Sequence, residues 1–170
     1  CNGAKRLVYR LRGATVIHIA MPWADMFGWG TCGKHLIEEF AKRGSCWFTH
    51  PDGEDMSAAF EMPKGARYVP ELTADVNMPL LQAAGVDLAM QTKFRGSPNA
   101  AYIFSEWTPI TETQKENLRT FDVLIAGSTW NSRVIREAGF ECAAVPQGVD
   151  TEVFKPSDIF KPVKGDFCIF

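Results

Sequence analysis

The sequence has no long apolar run and no excess of charge of either sign. Its 170 residues carry 18 Lys and Arg against 20 Asp and Glu, a formal charge of -2. A nucleic-acid-binding surface of the usual electrostatic kind needs a basic excess, so nucleic acid is not expected as a partner. No apolar run approaches the roughly 20 residues that cross a bilayer, so no transmembrane segment is expected.

The cysteines lack the patterns that mark a disulfide framework or a zinc site. All five are scattered, with no C-x-x-C pair and no histidine at ligand spacing. A reducing, cytoplasmic location fits this usage, and no metal is expected. The sequence also lacks a Ser/His/Asp arrangement, a P-loop and paired carboxylates at glycosidase-like positions. These absences predict a binding crevice without self-contained chemistry.

The sequence does contain a regular alternation of strand and helix patterns. The run TVIHIAM (15–21) is apolar and contains β-branched residues, as in a strand buried on both faces. The segment 31–44 predicts a helix with an apolar stripe that ends at Gly44, and 46–50 predicts a second strand. This βαβ start predicts an α/β fold, a Rossmann-like open and mostly parallel sheet with helices on both faces.

The alternation continues to the end of the chain through a weaker middle. Between residues 51 and 98 the patterns predict three elements: a strand near ARYV (66–69), a helix near PLLQAAG (79–85) and a strand at VDLAMQ (86–91). Later residues predict strands at 100–107, 122–128 and 142–146, and helices at 111–121 and 129–139.

Capping residues support the two later helices. Thr111 and Gln114 have the spacing of a capping box. Ser128 is placed to cap the next helix, and Gly139 is placed to end it. Ser128 is therefore a helix cap first and a candidate ligand contact second.

The motif GWGTCG (28–33) satisfies the G-x-G-x-x-G pattern of dinucleotide-binding proteins. Asp52 follows at about the 20-residue distance that this fingerprint requires. However, PWADMF separates the motif from the first strand, which is the wrong spacing for a tight phosphate turn. Two interpretations stay open: the helix N-terminus binds a phosphate or carboxylate, or the glycines only let the helix pack close to the sheet.

Several polar and aromatic residues are candidates for a ligand-binding crevice. In open α/β sheets ligands bind outside the carboxyl ends of the strands, where FSEWTP (104–109) is expected to lie. Glu106 is suited to proton transfer with a sugar hydroxyl, and Trp107 offers a flat face to a sugar ring. The alternative is a solvated carboxylate and a packing indole. Trp23 and Trp29 are expected to line the same crevice.

The run FDVLIAGSTWNSRVIREAGFECAAVPQGVDTEVFKP (121–156) resembles the end of the N-terminal domain in GT-B glycosyltransferases, especially the large retaining family 4. In that family a Ser-initiated helix ends in Gly, and a short strand leads into P-x-G-V-D-T-x-x-F-x-P. This chain has the pattern from Pro146 to Pro156, with Gln147 where Asn is more usual. The front is also similar, because GWGTCGKHLIEEFAKRG resembles the family's glycine-rich loop and first helix.

The resemblance implies the acceptor-side domain of an enzyme that transfers sugar from a nucleotide-sugar donor to an acceptor sugar or glycan. It implies an N-terminal domain over 1–147, an interdomain hinge over 148–164 and the start of a donor-binding domain over 165–170. The chain alone is then expected to be inactive. It needs no cofactor, and the nucleotide sugar is a substrate held with a donor-binding domain. An unpaired strand DFCIF (166–170) is expected to favour association.

By position, the resemblance makes Glu106 the candidate catalytic residue, although members of the family more often have His or Asp in that region. The candidate substrate-binding residues are Gly28, Trp29, Gly30, Thr31, Gly33, Ser105, Trp107 and Ser128. Two other functions stay open: an NAD-type dinucleotide-binding oxidoreductase domain and a noncatalytic binding module with the same fold. Binding of NAD by this chain would favour the oxidoreductase.

Overall fold

A computed structural model describes residues 16–24, 28–51, 62–70, 74–106 and 108–155. Within them, one sheet has seven parallel strands in the order β3-β2-β1-β4-β5-β6-β7. The predicted open parallel α/β sheet is therefore confirmed. The strands are β1 (Ile17–Ala20), β2 (Cys46–Thr49), β3 (Ala66–Tyr68), β4 (Leu80–Ala84), β5 (Asn99–Ile103), β6 (Val123–Ala126) and β7 (Ala143–Ala144), and the helices are α1 (Gly28–Arg43), α2 (Glu112–Leu118) and α3 (Thr129–Glu137).

The helices cover both faces of the sheet. On one face, Ile37 and Ala41 of α1 pack in a buried cluster with residues of β1, β2, β4 and β5. On the other face, Leu118 of α2 and Ile135 of α3 pack in a second cluster with β4, β5 and β6. Successive strand residues point to opposite faces, so a strand between the two layers is mostly apolar on both sides.

The predicted helix caps are confirmed. The Thr111 side chain accepts from the backbone N–H of Gln114, and the Gln114 side chain accepts from the Thr111 N–H, which completes a capping box. The Ser128 side chain accepts from the Asn131 N–H at 3.0 Å at the start of α3. Gly139 follows α3 with φ +96°, a conformation that glycine adopts without a steric penalty.

Two predictions for the middle of the chain were wrong. The segment PLLQAAG contains β4 instead of a helix, and all five residues of β4 are buried. The segment VDLAMQ is not a strand: a turn covers 86–87, and only Met90 makes an isolated bridge, to Ala84. The strand predicted at 100–107 is also shorter, since β5 ends at Ile103.

A hydrogen-bonded group of buried polar side chains links the two central strands β4 and β5. The Gln82 amide donates to Asn99 Oδ1 at 2.7 Å, and the Thr92 hydroxyl donates to Gln82 Oε1 at 2.9 Å. The backbone N–H of Asn99 donates to a carboxylate oxygen of Asp122 at 2.8 Å. Gln82 and Asn99 are fully buried, so these bonds satisfy amides that water does not reach.

The part of the predicted hinge that the structure describes is exposed. The Asp150 side chain accepts from a following backbone amide, the N–H of Glu152, at 2.8 Å. The Phe154 side chain is 71% exposed, so it does not anchor this segment on a core. The rest of the hinge and DFCIF lie outside the described residues, as do Asp52 and Trp107. None of the described helices is long and apolar enough to span a bilayer.

Candidate functional site

A pocket of about 220 Å³ lies at the carboxyl-end edge of the sheet, and the described residues that line it are Gly28, Trp29, Phe104 and Gln147. Gly28 and Trp29 begin α1, Phe104 directly follows β5, and Gln147 follows β7. Parallel strands end at a common edge, which is why residues so far apart in the sequence meet there. This is the edge at which open α/β sheets bind ligands.

The aromatic wall of the pocket has a fixed geometry. The Phe104 ring makes edge-to-face contacts with Trp29, at 4.9 Å between ring centroids, and with Tyr102, at 5.0 Å. Gly127 lies behind the Phe104 ring so closely that a Cβ at this position would overlap the ring. The two aromatic contacts therefore hold Phe104 in place, and the absence of a side chain at Gly127 leaves room for its ring.

The segment that carries Gln147 is hydrogen-bonded to the ends of β5 and β6. The N–H groups of Val145 and Gln147 donate to the carbonyl oxygens of Ala126 (2.9 Å) and Gly127 (3.3 Å). The Tyr102 hydroxyl donates to the Val145 carbonyl oxygen at 3.1 Å. Gln147 is therefore an exposed residue on an anchored backbone.

The thiol of Cys32, in the second turn of α1, contacts the same glutamine. Burial raises the pKa of Cys32, and a hydrogen bond with the Gln147 side chain acts in the opposite and weaker direction. The thiol is therefore protonated at neutral pH and is not an activated nucleophile. Burial, followed by the negative charge that Cys32 carries once it is deprotonated, also raises the pKa of Tyr102, so its hydroxyl keeps the proton that it donates to Val145.

The glycines of GWGTCG have different surroundings. Gly28 is exposed and lines the pocket, with nothing within 4 Å of an added Cβ. Gly30 and Gly33 are buried in α1; a Cβ on Gly30 would lie 2.7 Å from Ala24 Cβ, and one on Gly33 would overlap the Pro22 carbonyl oxygen. The segment is the first turns of a helix instead of a loop, and these two glycines let it pack against the chain that follows β1.

The tryptophans and Thr31 also differ from one another. Trp29 lines the pocket, as predicted. Trp23 does not line the pocket: it is only 2% exposed and packs on Phe48 with the rings 5.0 Å apart, because it points into the core beneath α1. Thr31 is half-buried in the first turn of α1 and is not among the lining residues.

Ser105 and Ser128 are brought together by Asn131 of α3. The Asn131 amide donates to the Ser105 carbonyl oxygen at 2.6 Å and accepts from the Ser105 N–H at 3.3 Å. The backbone N–H of Asn131 is the group capped by Ser128. This arrangement fixes the chain just before Glu106, which is exposed and is not among the described lining residues.

The pocket is uncharged, since none of its described lining residues has an ionisable side chain. The first turn of α1 contains no acidic residue. Among the described residues, no group of three His, Cys, Asp or Glu side chains is placed to hold a metal ion.

A second depression, of about 410 Å³, lies at the opposite end of the sheet, where the strands begin. It is lined by Glu38 and Lys42 of α1 and by residues 62–64, which precede β3. Lys42 is bound to Glu39 at 2.6 Å on this exposed surface. Its position at the amino ends of the strands is not where ligands bind in this kind of sheet, so the smaller pocket is the better candidate.

Comparisons of the chain with protein-family models, with curated proteins and with solved structures found no match. The function of the pocket is therefore inferred from its own residues. Sequence reasoning selected Gly28 and Trp29 but missed Phe104 and Gln147. Phe104 begins the FSEWTP stretch, and Gln147 lies directly before the residues expected to form the hinge, so both lay next to patterns that sequence reasoning had singled out.

Proposed function

We propose that this chain provides the acceptor-side domain of a GT-B glycosyltransferase and binds the acceptor sugar in the pocket of Gly28, Trp29, Phe104 and Gln147. The observation that carries the proposal is the lining itself: two aromatic side chains and one neutral amide at the carboxyl-end edge of a parallel sheet. A sugar ring has apolar C–H faces and a rim of hydroxyl groups. Aromatic rings match the faces, and an amide matches the hydroxyls.

The size of the pocket favours a single sugar ring. Its volume of about 220 Å³ is below the roughly 300 Å³ at which pockets for drug-sized ligands begin. A ligand the size of one pyranose ring is therefore a better match than a dinucleotide, which is several times larger.

The packing of the glycines disfavours the oxidoreductase alternative. In a dinucleotide-binding turn, glycines leave room for the backbone to approach the pyrophosphate. Here Ala24 and Pro22 occupy the space beside Gly30 and Gly33. The nucleotide sugar is instead assigned to a donor-binding domain, and Glu106, next to the segment fixed by Asn131, is assigned as the proton acceptor for the attacking hydroxyl.

The proposal is tested by titrating the full ¹⁵N-labelled chain with methyl glycosides of common hexoses and, separately, with NAD. We expect a methyl glycoside to shift the Trp29 indole and Gln147 amide signals in a saturable way. NAD is expected to leave both unchanged. Trp29→Ala should weaken glycoside binding about tenfold, because the stacking surface is removed.

Two variants serve as controls. Trp130→Ala removes an indole that is 40% exposed on α3 and does not line the pocket, so glycoside affinity should stay at the wild-type value. Glu106→Gln should also bind normally, because we assign Glu106 to proton transfer. Saturable binding of NAD at these signals, with no glycoside binding, would overturn the proposal.

A further inference from the structure

Gln147 contributes the only side-chain hydrogen-bond acceptor among the described residues that line the pocket. Trp29 offers one indole N–H donor, Phe104 offers none, and Gly28 has no side chain. A hydroxyl group that donates its proton into the pocket therefore has one acceptor side chain to meet among the described lining residues. That side chain is neutral, so the interaction depends on the direction of the hydroxyl and not on charge.

The position of Gln147 is constrained by its neighbours. Its side chain forms a hydrogen bond with the Cys32 thiol. The anchored backbone, with the Gln147 N–H bonded to Gly127 and Val145 held at both its N–H and its carbonyl, limits other placements.

Building on the proposed function, we propose that Gln147 determines the sugar specificity of the pocket by accepting a hydrogen bond at Oε1 from one ring hydroxyl. The pocket then selects a sugar by the position and configuration of that hydroxyl. The aromatic wall of Trp29 and Phe104 supplies binding that is common to many pyranoses. Gln147 is thus a specificity-determining residue.

The test uses analogues of the tightest-binding methyl glycoside in which one hydroxyl at a time is replaced by hydrogen or by fluorine. Fluorine accepts weakly but cannot donate, so a donating hydroxyl is lost in both analogues. At one ring position we expect both replacements to weaken binding by wild-type chain about tenfold. With Gln147→Leu, that same position should no longer matter, and the parent glycoside should bind about as weakly as its deoxy analogue.

A matched variant separates this role from a general effect on the fold. Gln91→Leu alters another exposed glutamine that does not line the pocket and should keep the wild-type pattern of analogue affinities. Thermal unfolding of each variant shows whether the domain is intact.

The outcomes distinguish the two proposals. If glycosides bind but Gln147→Leu keeps the full discrimination between parent and analogues, the role of Gln147 is overturned and the sugar pocket stands. Equal binding of parent and all analogues by the wild type would also overturn it. If no glycoside binds the wild-type chain, both proposals fail together.

Discussion

At the scale of single residues, His18 is unusual because it is fully buried in β1 with one ring nitrogen unpaired. Its Nε2 lies 2.8 Å from Thr49 Oγ1, and the Thr49 hydroxyl donates to the Val69 carbonyl oxygen at 2.8 Å. The proton between the two side chains must therefore be on Nε2, which makes His18 the Nε2–H tautomer. Nδ1 is then a buried acceptor without a donor, and a second proton there would be a buried charge.

This geometry predicts that the protein loses stability in mild acid. Burial lowers the pKa of His18 from 6.5 to about 4. Between these pH values His18 is protonated in the unfolded chain but not in the folded chain. The free energy of unfolding therefore falls as the pH drops from about 6.5 to 4. The loss is up to about 1.4 kcal/mol per pH unit and roughly 3 kcal/mol in all.

Urea unfolding at several pH values between 7.5 and 5 measures the effect before most carboxylates titrate. His18→Gln keeps a donor toward Thr49 but does not titrate, so its free energy of unfolding should vary less with pH than that of the wild type. The other histidines are the same in both proteins and cancel in the difference. Equal slopes for the two proteins would contradict the prediction.

At the scale of elements, the start of α3 shows how a candidate ligand contact is first a structural group. Ser128 caps α3 through the Asn131 N–H, and the Asn131 side chain in turn holds both backbone groups of Ser105. Ser128→Ala should therefore lower the free energy of unfolding by about 1 kcal/mol. Ser128→Asp, which can cap the same N–H, should restore most of it.

The same variants decide whether Ser128 also touches the sugar. If Ser128 acts only as a cap, Ser128→Ala and Ser128→Asp bind the methyl glycoside with equal affinity once both are folded. Denaturant unfolding supplies the stability, and the NMR titration supplies the affinity. A stability of Ser128→Ala equal to the wild-type value would show that the cap contributes nothing.

The sequence predicted elements well where polar signals mark their ends. The α3 prediction, from Ser128 to Gly139, is correct because a cap and a positive-φ glycine fix its ends locally. The β4 prediction failed because Leu, Gln and Ala favour helices in isolation and a strand buried on both faces has no period of two. Its position between β1 and β5 decides the conformation, and that is a tertiary effect.

At the scale of the whole molecule, the sheet has a protected centre and exposed edges. Strand β4 is buried along its full length between two neighbours, whereas both residues of β7 are exposed at the edge. Hydrogen exchange followed by NMR should find the β4 amides opening only with nearly global unfolding, and the β7 amides opening locally. Exchange in β4 as fast as in β7 would contradict the packing described here.

The pocket forms only when the whole sheet is assembled, which explains why the sequence predicted two of its four described lining residues. Gly28 and Trp29 belong to a recognisable motif, but Phe104 and Gln147 join them only because β5 and β7 end at the same edge. The pattern around Glu106 drew attention to a carboxylate, whereas the described wall is aromatic and neutral. The order of the strands, which no local pattern encodes, determines which loops meet.

The buried amides between β4 and β5 have a consequence for how the chain avoids misfolding. Both strands are almost wholly apolar, so a register shift of one residue between them would still bury apolar side chains on each face. Asn99 would then point to the opposite layer, away from Gln82. The two amides would lose their mutual hydrogen bond, and each buried group left unpaired would cost about 1–3 kcal/mol of stability. The Gln82–Asn99 pair therefore favours one register of β4 and β5 over other registers that would bury a similar amount of apolar surface.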